Sequence, residues 1–294
     1  MLVTAFEDPE VRYHQAGEVD QDATSHQRRA KKGTMTQNPA TQYATDANLA
    51  KRQRLWTESR RDPHFDLFPW VLDLAGVHDG DARTVLDIGC GNGVYERLLR
   101  DRGHVGVRVA ADLSEGMLAL VTDAARVNAD VQSLPMADQA FDVVLAPHML
   151  YHVPDRVSAA REMRRVMRAD GIGVVVTNGE RNFAEFKHLM EQAVGTDWTM
   201  WRPVDQYFSL ESGTEQLRTA FDTVTRVDCP ASDVVVTDLD AFTDYVDSIG
   251  DHYEAEVGVP WAGVVRRASS LAAEAMELTG EFRLTTSVGA FVCR

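Results

Sequence analysis

Residues 85–93 read Val-Leu-Asp-Ile-Gly-Cys-Gly-Asn-Gly, an apolar run that passes directly into three glycines at alternate positions. The apolar residues predict a strand over residues 83–88, and the amphipathic pattern after the glycines predicts a helix over residues 94–102. Glycine lets the backbone approach a ligand closely, and the first turn of a helix offers unpaired N–H groups. This stretch therefore predicts an α/β fold with a nucleotide site at the turn.

The spacing of the glycines bears on which nucleotide the turn binds. A dinucleotide-binding turn has its third glycine three residues after the second, but here Gly93 comes one residue early and Val94 follows it. The carboxylate of Asp87, just before the glycines, suits a cationic group better than a pyrophosphate. Asp112 lies 23 residues after Gly89, where an acid can bind ribose hydroxyls. Because nicotinamide enzymes use the same acid, a nicotinamide cofactor stays open as an alternative.

The chain after this turn alternates between short apolar strands and amphipathic helices, which predicts a parallel sheet with helices on both faces. The run 282–293 has no helix after it, so this last strand can enter the sheet antiparallel. The predicted strands are 107–111, 126–128, 141–146, 171–177, 224–229 and 234–236, and the predicted helices are 45–60, 70–74, 156–167, 183–194 and 239–249.

Composition narrows the classes of partner. The chain has 45 acidic and 30 basic residues and a net charge of −15, which disfavours nucleic acid as a partner. The three cysteines form no CxxC pair, which is typical of a reducing compartment. We see no apolar run long enough for a membrane helix and no signal peptide, so we predict a cytoplasmic protein, a monomer or homodimer, that does not engage a membrane.

Further motifs follow the second predicted strand in a fixed order. They are Asp112-Leu113-Ser114-Glu115-Gly116-Met117-Leu118, then Ala129-Asp130-Val131, then the segment 134–144 that ends in Phe-Asp-Val-Val. Together with the glycine turn, this set resembles the class I (Rossmann-like) S-adenosylmethionine-dependent methyltransferase family, of the type that tailors small molecules and natural products. The resemblance covers residues 43–294 and is strongest over residues 84–179.

The resemblance implies a fold and a domain order. The fold is an α/β, seven-stranded, mostly parallel sheet with an antiparallel last strand, helices on both faces and a helical lid insert. Accordingly, we divide the chain into five parts. These are a flexible leader (1–40, with Met35 as an alternative start), N-terminal helices covering the cofactor site (41–80), the cofactor-binding core (81–180), a lid that binds the acceptor (181–222), and the C-terminal part of the sheet with a helical insert (223–294).

The resemblance also implies a cofactor, S-adenosyl-L-methionine, with S-adenosyl-L-homocysteine as product. Asp112 would hold the ribose, Leu113 and Met117 the faces of the adenine, and Asp130 with the Val131 amide its edge. The methionine part would lie against Asp87, Gly89, Cys90 and Gly91, and we add Ala129 and Pro147 to the cofactor site.

Methyl transfer from a sulfonium is an in-line displacement, so the protein must orient the acceptor and, where needed, accept its proton. Acceptor residues should follow the strand that ends near Ala146, because open α/β sheets bind ligands beyond the carboxyl ends of their strands. His148 is the first candidate for a general base, and His152 is the second. For His152 a structural role weighs more, because many members of the family carry a similar His-Val-Pro-Asp turn.

Other residues complete the predicted site. On a helix the two histidines would lie on one face and raise a metal site, but Met149 follows the first and no third ligand is evident, so no metal is predicted. Tyr43 is placed over the cofactor, as in similar leaders of the family, and is included among the catalytic residues. The predicted acceptor-binding residues are Tyr151, Trp198, Trp201 and Tyr207.

The sequence therefore predicts a methyltransferase that acts on an O, N or C atom of a small-molecule, secondary metabolite. Two alternatives stay open: a nicotinamide-dependent oxidoreductase, and a non-catalytic scaffold that binds the cofactor. A methyltransferase acting on a macromolecule is weaker, because the net charge of −15 disfavours nucleic acid.

Overall fold

The computed structural model describes residues 47–122, 124–195, 198–201 and 207–294. All of them belong to one compact unit, Thr36–Arg294. The predicted leader (1–40), Met35 and Tyr43 lie outside the described residues, so their predicted roles stay predictions.

Seven strands form the main sheet, in the order β4-β3-β2-β5-β6-β10-β7. Only β10 runs against the others, because it pairs antiparallel with both β6 and β7. The predicted seven-stranded, mostly parallel sheet with an antiparallel last strand is therefore confirmed. The strands are β2 (Val85–Ile88), β3 (Arg108–Asp112), β4 (Ala125–Asn128), β5 (Phe141–Pro147), β6 (Met167–Asn178), β7 (Val224–Asp228) and β10 (Val288–Cys293).

Helices cover both faces of this sheet, because neighbouring residues of a strand point to opposite sides. Leu86 and Val144 pack with α5 and α7 in one core cluster, whereas Val85 and Val143 pack with α2 and α3 in another. The predicted helices on both faces are thus confirmed. The helices around the sheet are α2 (Leu67–Leu74), α3 (Val94–Asp101), α4 (Glu115–Leu118), α5 (Arg156–Val166) and α7 (Gly213–Leu217).

A second lobe, which the sequence analysis did not predict as a unit, contains a three-stranded antiparallel sheet in the order β1-β8-β9. Its apolar core is a separate cluster of buried side chains, among them Leu55, Phe242 and Val264. The lobe comprises α1 (Ala47–Glu58), β1 (Arg60–Asp62), α6 (Ala184–Val194), β8 (Asp233–Val236), α8 (Leu239–Ser248), α9 (Gly250–Val257), α10 (Trp261–Thr279) and β9 (Phe282–Leu284).

Several elements of this lobe differ from the sequence-based prediction, among them helix α9, which was not predicted. The predicted run 282–293 is two strands in different sheets, because Thr285 turns aside to bond Glu185 through its N–H and hydroxyl groups. The helix predicted to residue 60 ends at Glu58, because residues 60–62 pair with β8. Helix α10 was missed, although its buried Val264, Ala268 and Ala272 recur at helical spacing.

Candidate functional site

The glycine turn between β2 and α3 has a backbone that few other residues could adopt. Gly89 has φ of +69°, and a Cβ atom there would lie 2.7 Å from Cβ of Met149. The N–H groups of Gly89 and Cys90 both donate to the carbonyl oxygen of Ala111, at 2.8 and 3.2 Å. Gly93, with φ of +73°, is the N-cap of α3. The turn therefore presents bare backbone at the end of the central strand, where a ligand can approach it.

Asp112, the predicted ribose ligand, joins this turn to the next one. Its Oδ2 accepts a hydrogen bond from the Gly91 N–H at 3.0 Å, and its Oδ1 accepts one from the Ser114 N–H at 2.8 Å. Each carboxylate oxygen keeps a second lone pair that can accept a ligand hydroxyl. Asp112 thus holds the shape of the turn, a role that the sequence analysis did not assign to it.

Two buried carboxylates lie next to the turn. Asp87 is 0% exposed and Glu96, in the first turn of α3, is 1% exposed. No oxygen of either carboxylate has a hydrogen-bond partner within the described part of the chain. Burial, followed by the charges of Glu96 and Asp112, raises the pKa of Asp87 well above its usual value. Burial likewise raises the pKa of Glu96 to about 7, although Arg108 opposes this change.

Sequence reasoning missed Glu96. An acidic residue in the first turn of a helix usually faces water and stabilises the helix dipole. Here Tyr95, Glu96 and Leu99 form the buried side of α3, so Glu96 falls within the apolar stripe. The available signal was the three-residue spacing from Glu96 to Leu99 on an otherwise amphipathic helix.

The residues predicted for the adenine gather where β3 and β4 end. The Ala129 N–H donates to the Asp112 carbonyl oxygen at 3.1 Å, and the Asp130 carboxylate holds Gln132 through its backbone and side-chain N–H groups. Leu113 is 40% exposed, whereas Met117 and Val131 are buried. Asp130 is exposed as well, so an apolar and a charged side chain both face solvent where these strands end, and Met117 belongs to the core.

The residues after β5 form a strained turn rather than an α-helix. His148 follows Pro147, the last residue of β5, and has φ of +53°, and its N–H donates to the Val176 carbonyl oxygen at 2.9 Å. The next residues form a single 3₁₀ turn, so His148 and His152 do not share a helical face. Burial lowers the pKa of His148 to about 4, so its imidazole is neutral at pH 7. Within the described ranges no cluster of three or more metal-ligating side chains is present.

An aromatic cluster lies beside His148. Tyr151 stacks on Tyr207 with ring centroids 5.8 Å apart, and the rings of Tyr151 and His148 are 6.5 Å apart. Burial raises the pKa of Tyr207 to about 12, and Tyr253 and Tyr245 of the second lobe lie close enough to add to this shift. The structure therefore brings together three predicted residues, His148, Tyr151 and Tyr207, where the main sheet meets the second lobe.

The two predicted tryptophans lie on the second lobe. Trp198 donates to Glu256 at 3.1 Å and contacts Tyr253 edge-on at 5.5 Å between ring centroids. The ammonium of Lys187, on helix α6, lies over the Trp201 ring, 4.2 Å from its centroid. Trp198 thus contacts Tyr253 of the aromatic cluster, whereas Trp201 packs on α6.

Helix α1 contacts the glycine turn directly. The Asn92 side chain donates to Oε1 of Gln53 at 3.3 Å, and the guanidinium of Arg52 donates to the Ser248 carbonyl oxygen at 3.0 Å. The helix therefore links the second lobe to the glycine turn. None of the described helices is both long and apolar enough to cross a membrane.

Comparison with known proteins agrees with this geometry. Residues 86–175 match the profile of a methyltransferase domain. The chain is 35% identical over 117 residues to a malonyl-[acyl-carrier protein] O-methyltransferase of Dechloromonas aromatica, covering 40% of this chain and 42% of that protein. It is also 30% identical over 160 residues to a mitochondrial arginine-hydroxylase of Mus musculus, covering 50% and 46%. The chain thus spans about half the length of these curated relatives.

A solved structure shares the overall fold. It is described as a candidate methyltransferase from an antibiotic biosynthesis pathway of Anabaena variabilis, with a TM-score of 0.54 and 15% identity, covering 78% of this chain and 96% of that one. At this level of identity the likeness concerns the fold alone.

Proposed function

The chain carries a class I, Rossmann-like methyltransferase domain, and from this premise we propose that it transfers the methyl group of S-adenosylmethionine to a small-molecule acceptor. The observation that carries the proposal is the buried, unpartnered carboxylate of Asp87 directly before the glycine turn. A buried anion without a partner is costly, and a cationic ligand relieves that cost.

The residues at the turn fit the proposed donor. When bound, S-adenosylmethionine supplies an electrophilic methyl group on a positively charged sulfur. Asp87 offers the negative charge for its cationic methionine part, and Gly89 takes a backbone conformation, with φ of +69°, that keeps the turn free of a side chain. Asp112 retains lone pairs for the ribose hydroxyls, and Leu113 offers an exposed apolar face for the adenine.

We place the acceptor at the aromatic cluster where the two lobes meet. Tyr151 stacks on Tyr207, and Tyr245 and Tyr253 of the second lobe lie near Tyr207. Tyr151 follows the carboxyl end of β5, the edge at which open α/β sheets bind their ligands. The rings can orient a flat or apolar acceptor and exclude water from the transfer.

His148 would accept a proton or a hydrogen bond from the acceptor. Its imidazole is neutral at pH 7 because burial lowers its pKa to about 4, so it can accept a proton. A base with so low a pKa is weak, which suits an acceptor that already ionises easily or needs only to be oriented.

The finer assignments belong to the same proposal. The net charge of −15 favours a small metabolite over nucleic acid, and we retain a secondary metabolite as the acceptor class. The free cysteines Cys90, Cys229 and Cys293 support a cytoplasmic protein, for which we keep a monomer or homodimer.

Two measurements test the proposal. Calorimetric titration with S-adenosylhomocysteine should show saturable binding, and absence of binding up to millimolar concentration would refute the donor. Incubation with methyl-labelled S-adenosylmethionine and fractionated cell extract should label a small molecule. Binding without any labelled product would favour a non-catalytic scaffold instead.

A further inference from the structure

Glu96 is a second buried carboxylate near Asp87. Both side chains are at most 1% exposed, and their four carboxylate oxygens have no hydrogen-bond partner among the described residues. Asp87 already has a role in the proposed function, because it lies next to the cationic part of the donor. Glu96 lies in the first turn of α3, which starts from the glycine turn itself.

The groups that face Glu96 are mostly acidic. Asp87 faces it from β2, and Cys90 lies near both carboxylates in the glycine turn. Asp112, at the end of β3, and the Tyr95 phenol of α3 face Asp87. Arg108, at the start of β3, is the cation that acts on Glu96, but its guanidinium donates to the backbone carbonyl oxygen of Glu96 at 3.4 Å. The two carboxylates therefore share a region of negative potential.

Two carboxylates in one apolar region cannot both stay ionised without a cation, because each raises the cost of charge on the other. The pair therefore keeps a proton in the free protein at neutral pH. The raised pKa of Glu96, about 7, agrees with this conclusion from burial and missing partners. A ligand that brings positive charge next to Asp87 stabilises the ionised form of both carboxylates, so the proton is released.

We propose that Asp87 and Glu96 act as one proton-exchanging pair, in which Glu96 makes the site prefer the sulfonium donor over the product with its neutral sulfur. This inference rests on the proposed function. The donor carries a sulfonium and an ammonium, whereas the product carries only the ammonium. Binding of the donor expels the shared proton to solvent, and the pair regains a proton once the sulfur has lost its charge. Glu96 is therefore a specificity-determining residue that acts through Asp87.

The test compares the dissociation constants of S-adenosylmethionine and S-adenosylhomocysteine at pH 6 and pH 7. A group with a pKa of about 7 changes from about one-tenth to one-half ionised over this interval. The preference for the donor should therefore rise about fivefold from pH 6 to pH 7. The α-amino groups of the two ligands stay largely protonated in this range, so they nearly cancel in the ratio.

Two variants separate Glu96 from other acids. Glu96→Gln keeps the shape of the side chain and should make the donor preference independent of pH. Glu215→Gln makes the same change at an exposed position in the first turn of α7, and it should behave like the unaltered protein. A preference that does not change with pH in the unaltered protein, or that rises equally in Glu96→Gln, overturns the inference.

A second measurement needs no variant. Donor binding at pH 7 is measured in buffers of different ionisation heat, and the difference gives the number of protons released. More protons should leave per bound donor than per bound product. Equal release with both ligands overturns the inference even if Glu96→Gln does not fold. If neither ligand binds the unaltered protein, the proposed function itself has failed, which is a different outcome from binding without proton release.

Discussion

Gly89 shows how one residue can be fixed by its backbone and by its neighbour at once. Replacing it with alanine places a Cβ atom against Met149 at a position whose φ is +69°. We expect Gly89→Ala to destabilise the protein by about 2–4 kcal/mol and to abolish binding of S-adenosylhomocysteine. Chemical denaturation and calorimetry measure the two effects.

Gly103→Ala is the matched control for this substitution. Gly103 also has a positive φ, of +68°, but a Cβ atom there meets nothing within 4 Å. Its replacement should cost about 1 kcal/mol and leave ligand binding intact. Equal costs for the two variants would show that Met149 yields easily and that the close packing at Gly89 is not essential.

His148 should affect turnover more than donor binding, because it follows β5 on the acceptor side of the turn. We expect His148→Ala to lower turnover about tenfold or more while changing the affinity for S-adenosylhomocysteine less than about twofold. Since burial lowers its pKa to about 4, His148 should contribute no change in rate between pH 6 and pH 8. Unaltered turnover in steady-state assays would remove His148 from the mechanism.

The sequence can place some residues of the candidate site and not others. Asp87, Gly89 and Asp112 are predictable because a strand, a turn and a second strand constrain their spacing. The second role of Asp112, as acceptor for the Gly91 and Ser114 N–H groups, depends on the loop geometry. The burial of Glu96 depends on the rotation of α3 against the sheet, which an acidic residue in a first helical turn does not reveal.

Among the elements of the second lobe, α1 contacts the glycine turn. The hydrogen bond from Asn92 to Gln53 lies between this helix and the glycine turn. We expect Gln53→Ala to weaken binding of S-adenosylhomocysteine by about two- to tenfold, because a net hydrogen bond contributes about 0.5–1.5 kcal/mol. The melting temperature should change little, because Gln53 is only partly buried.

Thr57→Ala on the same helix serves as the control for Gln53→Ala. The exposed Thr57 hydroxyl donates to the Arg54 carbonyl oxygen at 3.2 Å, one turn earlier on the same helix. The affinity of the Thr57→Ala variant for S-adenosylhomocysteine should equal that of the unaltered protein. A similar loss in both variants would mean that helix stability, rather than the contact with the turn, controls binding.

The central strands β2, β5 and β6 follow from sequence patterns because each carries a run of apolar residues. Strand β1 does not, since its three residues are Arg60, Arg61 and Asp62. It is held by distant partners, such as the bond from the Arg61 guanidinium to the Ser232 hydroxyl at 3.1 Å. Local pattern contains no information about such a pairing, so a charged strand of this kind is read as the end of a helix.

For the molecule as a whole, the buried carboxylates predict how stability depends on pH. Because the folded-state pKa of Glu96 is raised to about 7, folding favours its protonated form. The stability that this proton provides is complete below about pH 4 and is lost as pH rises through about 7. Glu96→Gln should therefore be more stable than the unaltered protein at pH 8, by up to about 3 kcal/mol, and similar at pH 5. Urea denaturation without ligand at both pH values measures this.

Sequence patterns predict the main sheet of the molecule but not its second lobe. The parallel strands and covering helices of the main sheet follow from the alternation of apolar strands and amphipathic helices along the chain, whereas the order of the strands is seen only in the structure. The second lobe takes α1 and β1, then α6, and then the segment from β8 to β9 from three separate stretches of chain. Its core exists only after these stretches meet, so no single window of sequence describes it.

The place of β10 in the sheet affects how the protein is made. On the ribosome β7 emerges some sixty residues before β10, yet its neighbour in the main sheet is β10. Until β10 arrives, β7 has no strand to pair with, and the outer edge of β6 stays open to the wrong partner. The sheet therefore closes late in chain synthesis. Until then, the nascent chain avoids aggregation only if a chaperone covers the open strand edge or if folding is fast.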